Sequence, residues 1–109
     1  MTDYTHTCQR LFDRYLAEGR THPAAAVVAT TARGEARCTV PDFAERYGLE
    51  VAEVEACEAG EVPFGDLPAV MGDIVEASNK VSMLWLAGLD RTVAEANRQA
   101  HQIDRPAER

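Results

Sequence analysis

Residues 43–61 read "FAERYGLEVAEVEACEAGE", and the fold turns on how this stretch is parsed. Phe43, Ala44 and Tyr47 are spaced for one face of a helix, which Gly48 then ends. Val51, Val54 and Cys57 recur every three residues, the spacing of the inward side of a second helix, and Gly60 ends that one. The parse is therefore two short helices with a tight reversal between them. Ala44 is small where the pair would cross closely, and Gly48 accepts the positive φ that lets the chain reverse within a few residues. The same stretch carries six glutamates and one arginine. A compact helical pair is thus loaded with negative charge, and that combination needs a reason.

Upstream, Thr39 and Asp42 form an [ST]-x-x-D start signal, with Pro41 tolerated in the first turn. Residues 4–18, "YTHTCQRLFDRYLAE", place Cys8, Leu11, Phe12, Tyr15 and Leu16 at helical spacing, closed by Gly19. Between them lies "THPAAAVVATTARGEA". Its β-branched core is compatible with a strand, but the flanking alanines favour helix, with Ala24, Val27 and Val28 facing inward.

Downstream, "EVPFG" reads as a loop leading to Asp66 as an N-cap, with Pro68 behind it. From there Leu67, Val70, Ile74, Ala77, Val81, Leu84 and Gly88 alternate steps of three and four, a heptad-like stripe. The stripe changes phase at Gly88 and resumes at Leu89, Val93, Ala96, Ala100 and Ile103. A break or bend is expected near Ser78–Asn79 and another near Gly88–Asp90, where Thr92-x-x-Glu95 is able to cap a restarted helix. Nothing reads as a strand and no internal repeat is present. The predicted fold class is all-α, a single domain over residues 1–109: an N-terminal helix at 4–18, a helix-turn-helix core at 22–77, and a C-terminal helical or dimerisation region at 79–104.

Composition bounds what this domain does. Net charge is −7, and it is not evenly spread. Residues 39–68 hold eight acids against one base, Arg46, while the rest of the chain holds ten of each. Such a balance disfavours nucleic acid and anionic membranes as partners. The three cysteines, Cys8, Cys38 and Cys57, form no CxxC and suit buried thiols in a reducing compartment. No leader and no apolar run long enough to span a bilayer is read, so the expected location is the cytoplasm, with no membrane contact.

On these residues the stretch resembles the Xre/Cro-type helix-turn-helix family. Phe43-Ala44 is similar to that family's apolar–Ala pair, Tyr47-Gly48 to its apolar–Gly turn, and Glu58-Ala59-Gly60 to its closing Glu-x-Gly. The resemblance covers about residues 23–75. It implies that the closing Glu58 pairs with Arg33, ten residues before Phe43, as a buried ion pair tying the core together. It also implies that Glu50, Val51, Ala52, Glu53 and Ala56 occupy the outward face that operator-reading members turn to DNA. There the chain departs from the family. Base edges need donors and acceptors, whereas valine and alanine touch only a thymine methyl and glutamate must enter a phosphate-lined groove. Of the expected phosphate contacts, Thr39, Arg37 and Arg46 are the residues able to serve.

Other constellations carry less. His6-x-Cys8 and the scattered His22, Cys38, Cys57 and His101 lack ligand spacing, so no metal or other cofactor is expected. No nucleophile–base pair or Gly-rich phosphate loop is present, so no catalytic residue is named and an enzyme is not expected. In "VSMLWLAGL", Val81, Met83, Leu84, Trp85, Leu86 and Leu89 point around more than one side of a helix, which marks an oligomer interface and a homodimer. The function expected is that of a small regulatory protein acting through its acidic surface on a basic protein partner, as an adaptor, inhibitor or antitoxin-like protein. The alternative is a DNA-binding transcriptional regulator of the Xre-like kind.

Overall fold

A computed structural model describes residues 4–78 and 82–103, with side chains described from residue 6 to residue 99 of these. Its order is α1 (Tyr4–Ala17), α2 (Pro23–Ala36), α3 (Val40–Tyr47), α4 (Val51–Ala59), a 3₁₀ turn (Phe64–Asp66), α5 (Ala69–Ala77) and α6 (Met83–Ile103). Among the described residues there is no strand, and the fold is all-α.

The element that organises the rest is α2. Pro23 stands in its first turn, where a missing N–H costs nothing, and a run of alanines and valines follows. Every residue from Pro23 to Ala29, and Ala32, is buried. Small side chains all round let other helices approach from all sides, and α2 packs against each of the other five. The two valines that left a strand open are simply core: Val27 and Val28 are both fully buried, in the half of α2 that is covered all round.

Around this axis α1 lays down Cys8, Phe12 and Tyr15, α3 adds Phe43 and Ala44, α4 adds Val54 and Cys57, α5 adds Met71 and Val75, and α6 adds Leu86. The Tyr15 hydroxyl also shares a hydrogen bond with the Thr30 hydroxyl at 3.3 Å, joining α1 to α2.

Several expectations are corrected. Leu16 is 46% exposed rather than inward, because Cys8, Phe12 and Tyr15 already define the face that meets α2. Asp66 lies in the 3₁₀ turn and does not cap α5, whose cap position is Pro68 without a side-chain cap bond. The stripe through Leu67, Val70, Ile74, Ala77 and Leu84 is not the core row. Met71 and Val75 are the deepest residues of α5, Leu67, Val70 and Ile74 flank them, Ala77 is exposed, and Leu84 stands in solvent at 83%. The phase resets because α5 ends at Ala77 and α6 starts anew at Met83, with the Ser82 hydroxyl accepting from the Trp85 N–H at 3.3 Å. The other stripe residue, Val81, and Asn79 of the expected break lie outside the described residues.

The expected break at Gly88–Asp90 does not occur: α6 runs unbroken from Met83 to Ile103. Thr92 caps nothing; its hydroxyl donates back to the Gly88 carbonyl at 3.0 Å, one turn earlier. Past Gly88, Leu89 and Val93 pack on the core while Ala96 is exposed, and the side chains of Ala100 and Ile103 lie outside the described set. Among the described residues no helix is long and apolar enough to cross a membrane.

Candidate functional site

The α3–α4 pair is built by local rules. Thr39, in extended backbone, accepts the Asp42 N–H on its hydroxyl at 3.2 Å and starts α3. Gly48 ends it in the left-handed region, φ 70°, and its N–H returns to the Ala44 carbonyl. Glu50 is then extended and its carbonyl accepts the Val54 N–H at 3.1 Å, so three residues separate α3 from α4. Gly60 ends α4 at φ 79°, and here space matters as much as φ: a Cβ would sit 3.1 Å from the Arg20 Cβ and 3.3 Å from the His22 carbonyl oxygen. Phe43 is fully buried with its ring 4.7 Å from that of Tyr47, and Ala44 is buried beside it.

With Val54 and Cys57 buried, the opposite side of α4 faces water. Glu50, Val51, Ala52, Glu53 and Glu55 are exposed, while Ala56 is partly buried at the edge. Val51, the first residue of α4 after its cap Glu50, is 41% exposed. Asp42, Glu45 and Glu61 are exposed on the flanks. The glutamates of residues 43–61 other than Glu58 are thus turned to solvent, with Val51 and Ala52 exposed among them.

Glu58 points the other way. Its carboxylate receives Arg33 with both oxygens, from Nε at 2.5 Å and Nη2 at 3.0 Å, and Arg33 Nη1 also donates to the Cys38 carbonyl at 3.1 Å. The hydrogen bonds to Glu58 push the Arg33 guanidinium above its already high value, so the cation is permanent. The pair is not fully buried as expected: its side chains are 29% and 17% exposed, because it lies at the rim of the α2–α4 contact and not in its centre.

The arginines of this half of the chain divide into spent and free. Arg20 donates to the Glu58 carbonyl at 2.5 Å and to Glu18 at 3.0 Å, and its guanidinium lies 4.0 Å over the Tyr15 ring. Spacing gave no sign of this, since a guanidinium meeting a helix-end carbonyl leaves no periodic trace. Arg33 is held by Glu58. Arg46 reaches the Ala36 carbonyl at 3.4 Å, which brings it to the α2–α3 corner where Arg37 and Thr39 stand exposed. Arg37 itself occupies the left-handed region, φ 58°.

On α6 the predicted interface residues separate. Leu86 is core, and Met83, Trp85 and Leu89 are partly buried against it, so only Leu84 is fully turned to solvent; Val81 is outside the described residues. Farther along, α6 forms a cleft of about 550 Å³ with the α1–α2 loop and the 3₁₀ turn. Phe64, Pro63 and Val93 supply apolar walls, and Asp90, His22 and Asn97 the polar groups. Burial pushes the Asp90 carboxyl up, against the opposing pull of His22 and Arg91. Three segments far apart in sequence meet there, which is why no motif pointed to it.

Among the described residues no three His, Cys, Asp or Glu side chains gather as a metal set. Cys8, Cys38 and Cys57 are buried free thiols, and burial pushes Cys8 and Cys57 up, away from the thiolate form that nucleophiles and ligands need. Compared with known proteins, the chain matches no family model, no curated protein and no solved structure.

Proposed function

We propose that this chain is a small regulatory protein acting mainly by protein–protein contact, as an adaptor, inhibitor or antitoxin-like protein, with the outer side of α3–α4 meeting a basic partner. The observation that supports this is the first turn of α4. Glu50, Val51, Ala52 and Glu53 are all exposed, two small apolar side chains and two carboxylates within one helical turn. Exposed apolar side chains flanked by polar groups are what protein interfaces offer. Glu50 and Glu53 also answer the positive end of the α4 dipole, which leaves little attraction there for a phosphate. Arg20 and Arg33, two further cations of this half of the chain, are engaged with Glu18 and Glu58. A reducing cytoplasm suits the three free thiols. The role is regulatory and no catalytic step is assigned.

A DNA-binding regulator of the Xre-like kind is the second reading. It is favoured by the α2–α3 corner, where Arg46 reaches the Ala36 carbonyl and Arg37 and Thr39 stand exposed. The two readings part in one experiment, fluorescence anisotropy of the full chain against mixed-sequence duplex DNA at low salt. Salt-sensitive binding whose slope falls by about one per arginine removed, in Arg37→Ala and Arg46→Ala, would establish the second reading and end the first. No binding under those conditions, together with a salt-labile basic partner that the chain retains and the Glu50→Lys/Glu53→Lys variant loses, is the outcome expected. A partner bound equally by both proteins would remove the acidic face from the argument.

A further inference from the structure

We infer that the outer face of α6 binds a second copy of this chain, the two helices crossing antiparallel at Gly88. The inference stands apart from the acidic-face reading, since it uses a different surface. On its inner side α6 seats Leu86 and packs Met83, Val93 and part of Trp85 and Leu89 on the core. On its outer side Leu84 is 83% exposed, and Leu84, Trp85, Gly88, Leu89, Thr92 and Ala96 line a shallow groove of about 790 Å³ along the helix. Leu84, Gly88, Thr92 and Ala96 recur every four residues and so stay on one side, with Trp85 and Leu89 beside them. A helix on the surface of a lone domain needs a single apolar stripe, and α6 adds to its own the exposed Leu84 and the uncovered parts of Trp85 and Leu89, edged by Arg91, Glu95 and Gln99.

Gly88 says how close the occupant comes. It sits inside the helix, outside the positive-φ set of Gly19, Gly48 and Gly60, and glycine there weakens a helix relative to alanine. Its own fold does not require it: a Cβ would meet only Arg91 Nη2 at 3.8 Å, an ordinary contact. Gly72 is different, because its Cβ would stand 3.3 Å from Met83 Cε within the same chain. The space left at Gly88 opens into the groove, where a missing Cβ admits another backbone.

Charge selects the occupant. Residues 83–99 hold Asp90 and Glu95 against Arg91 and Arg98, a balanced set, whereas residues 39–68 carry the whole net −7. Two copies of an acidic chain therefore repel least when they meet through α6. The face is also complementary to itself. Antiparallel pairing about Gly88 sets Arg91 opposite the partner's Trp85, each three residues from the crossing, as a guanidinium on an indole face. It sets Leu84 opposite the partner's Thr92, and a two-fold axis makes every such contact twice.

Trp85 is the one tryptophan and is only partly covered by the core, so its emission reports this edge of the groove. Sedimentation equilibrium of the full chain, from about 2 to about 200 µM, spans the range for a contact of this size. Mass should rise from monomer to dimer, with Trp85 emission moving to shorter wavelength in parallel. Gly88→Leu and Leu84→Lys should each weaken association at least about tenfold, with the helical circular dichroism unchanged. Leu84 is solvent-exposed, so that variant keeps the test valid if Gly88→Leu disturbs the fold. A monomer across the range overturns the inference. So does a dimer that neither variant weakens, or assembly that continues past two copies. Neither variant touches α3–α4, so failure here and failure of the acidic-face reading are told apart.

Discussion

Glu58 accepts Arg33 with both carboxylate oxygens while its backbone carbonyl accepts Arg20, so one residue ties α4 to α2 and to the loop after α1. Removing the carboxylate by Glu58→Ala leaves Arg33 with its Cys38 carbonyl and partial access to water. The expected loss is about 1–2 kcal/mol in urea denaturation, less than the ~3–5 of a fully buried pair. A double-mutant cycle with Arg33→Ala isolates the coupling, and Arg33→Lys should not restore it, since an ammonium lacks the fork that meets both oxygens. These two residues stand 25 apart in the chain, and only the family resemblance, not any spacing, joined them beforehand. Asp90 had no such signal. Burial raises its carboxyl in the folded chain above the usual aspartate range, so the folded state holds that proton more tightly than the unfolded state does. Its ionised form therefore costs stability at neutral pH, and the cost vanishes as pH falls through the raised value. Asp90→Asn is expected to raise the urea midpoint at pH 7 and to give no gain below the aspartate range; equal gains at both pH values would refute the burial argument.

Helix ends were legible wherever the signal was local. Gly19, Gly48 and Gly60 stop or follow their helices in the left-handed region, and Thr39 caps α3, because each bond involves atoms a few residues apart. Helix phase was not legible. The break expected near Ser78–Asn79 is where α5 ends, but the row read through Leu67 to Gly88 carried one register across it, whereas α5 and α6 each turn their own face inward. The break read at Gly88 failed for a matter of magnitude. A mid-helix glycine costs about 1 kcal/mol, which a helix of 21 residues packed on a core absorbs. The true start of α6 is Ser82, whose hydroxyl takes the Trp85 N–H. Ser82→Ala is expected to cost about 1 kcal/mol in thermal unfolding, with faster amide exchange at Trp85 and Leu86; protection unchanged at those two amides would count against the cap.

At the scale of the molecule, α2 is the axis and α6 the departure from roundness. The radius of gyration is 15.1 Å and the extents are 53 × 34 × 21 Å, against about 13 Å for a compact chain of this length. Residues 94–99 of α6 are all exposed, beyond the body that α2 organises. The elongation leaves both the α6 outer face and the acidic α3–α4 face open to partners. By itself the sequence determined the helical class, most of the helix boundaries and the concentration of negative charge in residues 39–68. Those follow from period, caps and composition, which depend on neighbours along the chain. The tertiary structure alone decided that α2 is buried all round, that Met71 and Val75 form the inward row of α5, and that Arg20 is spent on Glu58 and Glu18. A helical stripe states that a face will be covered, but what covers it, and which cations are left over, depends on helices that meet only once the chain has folded.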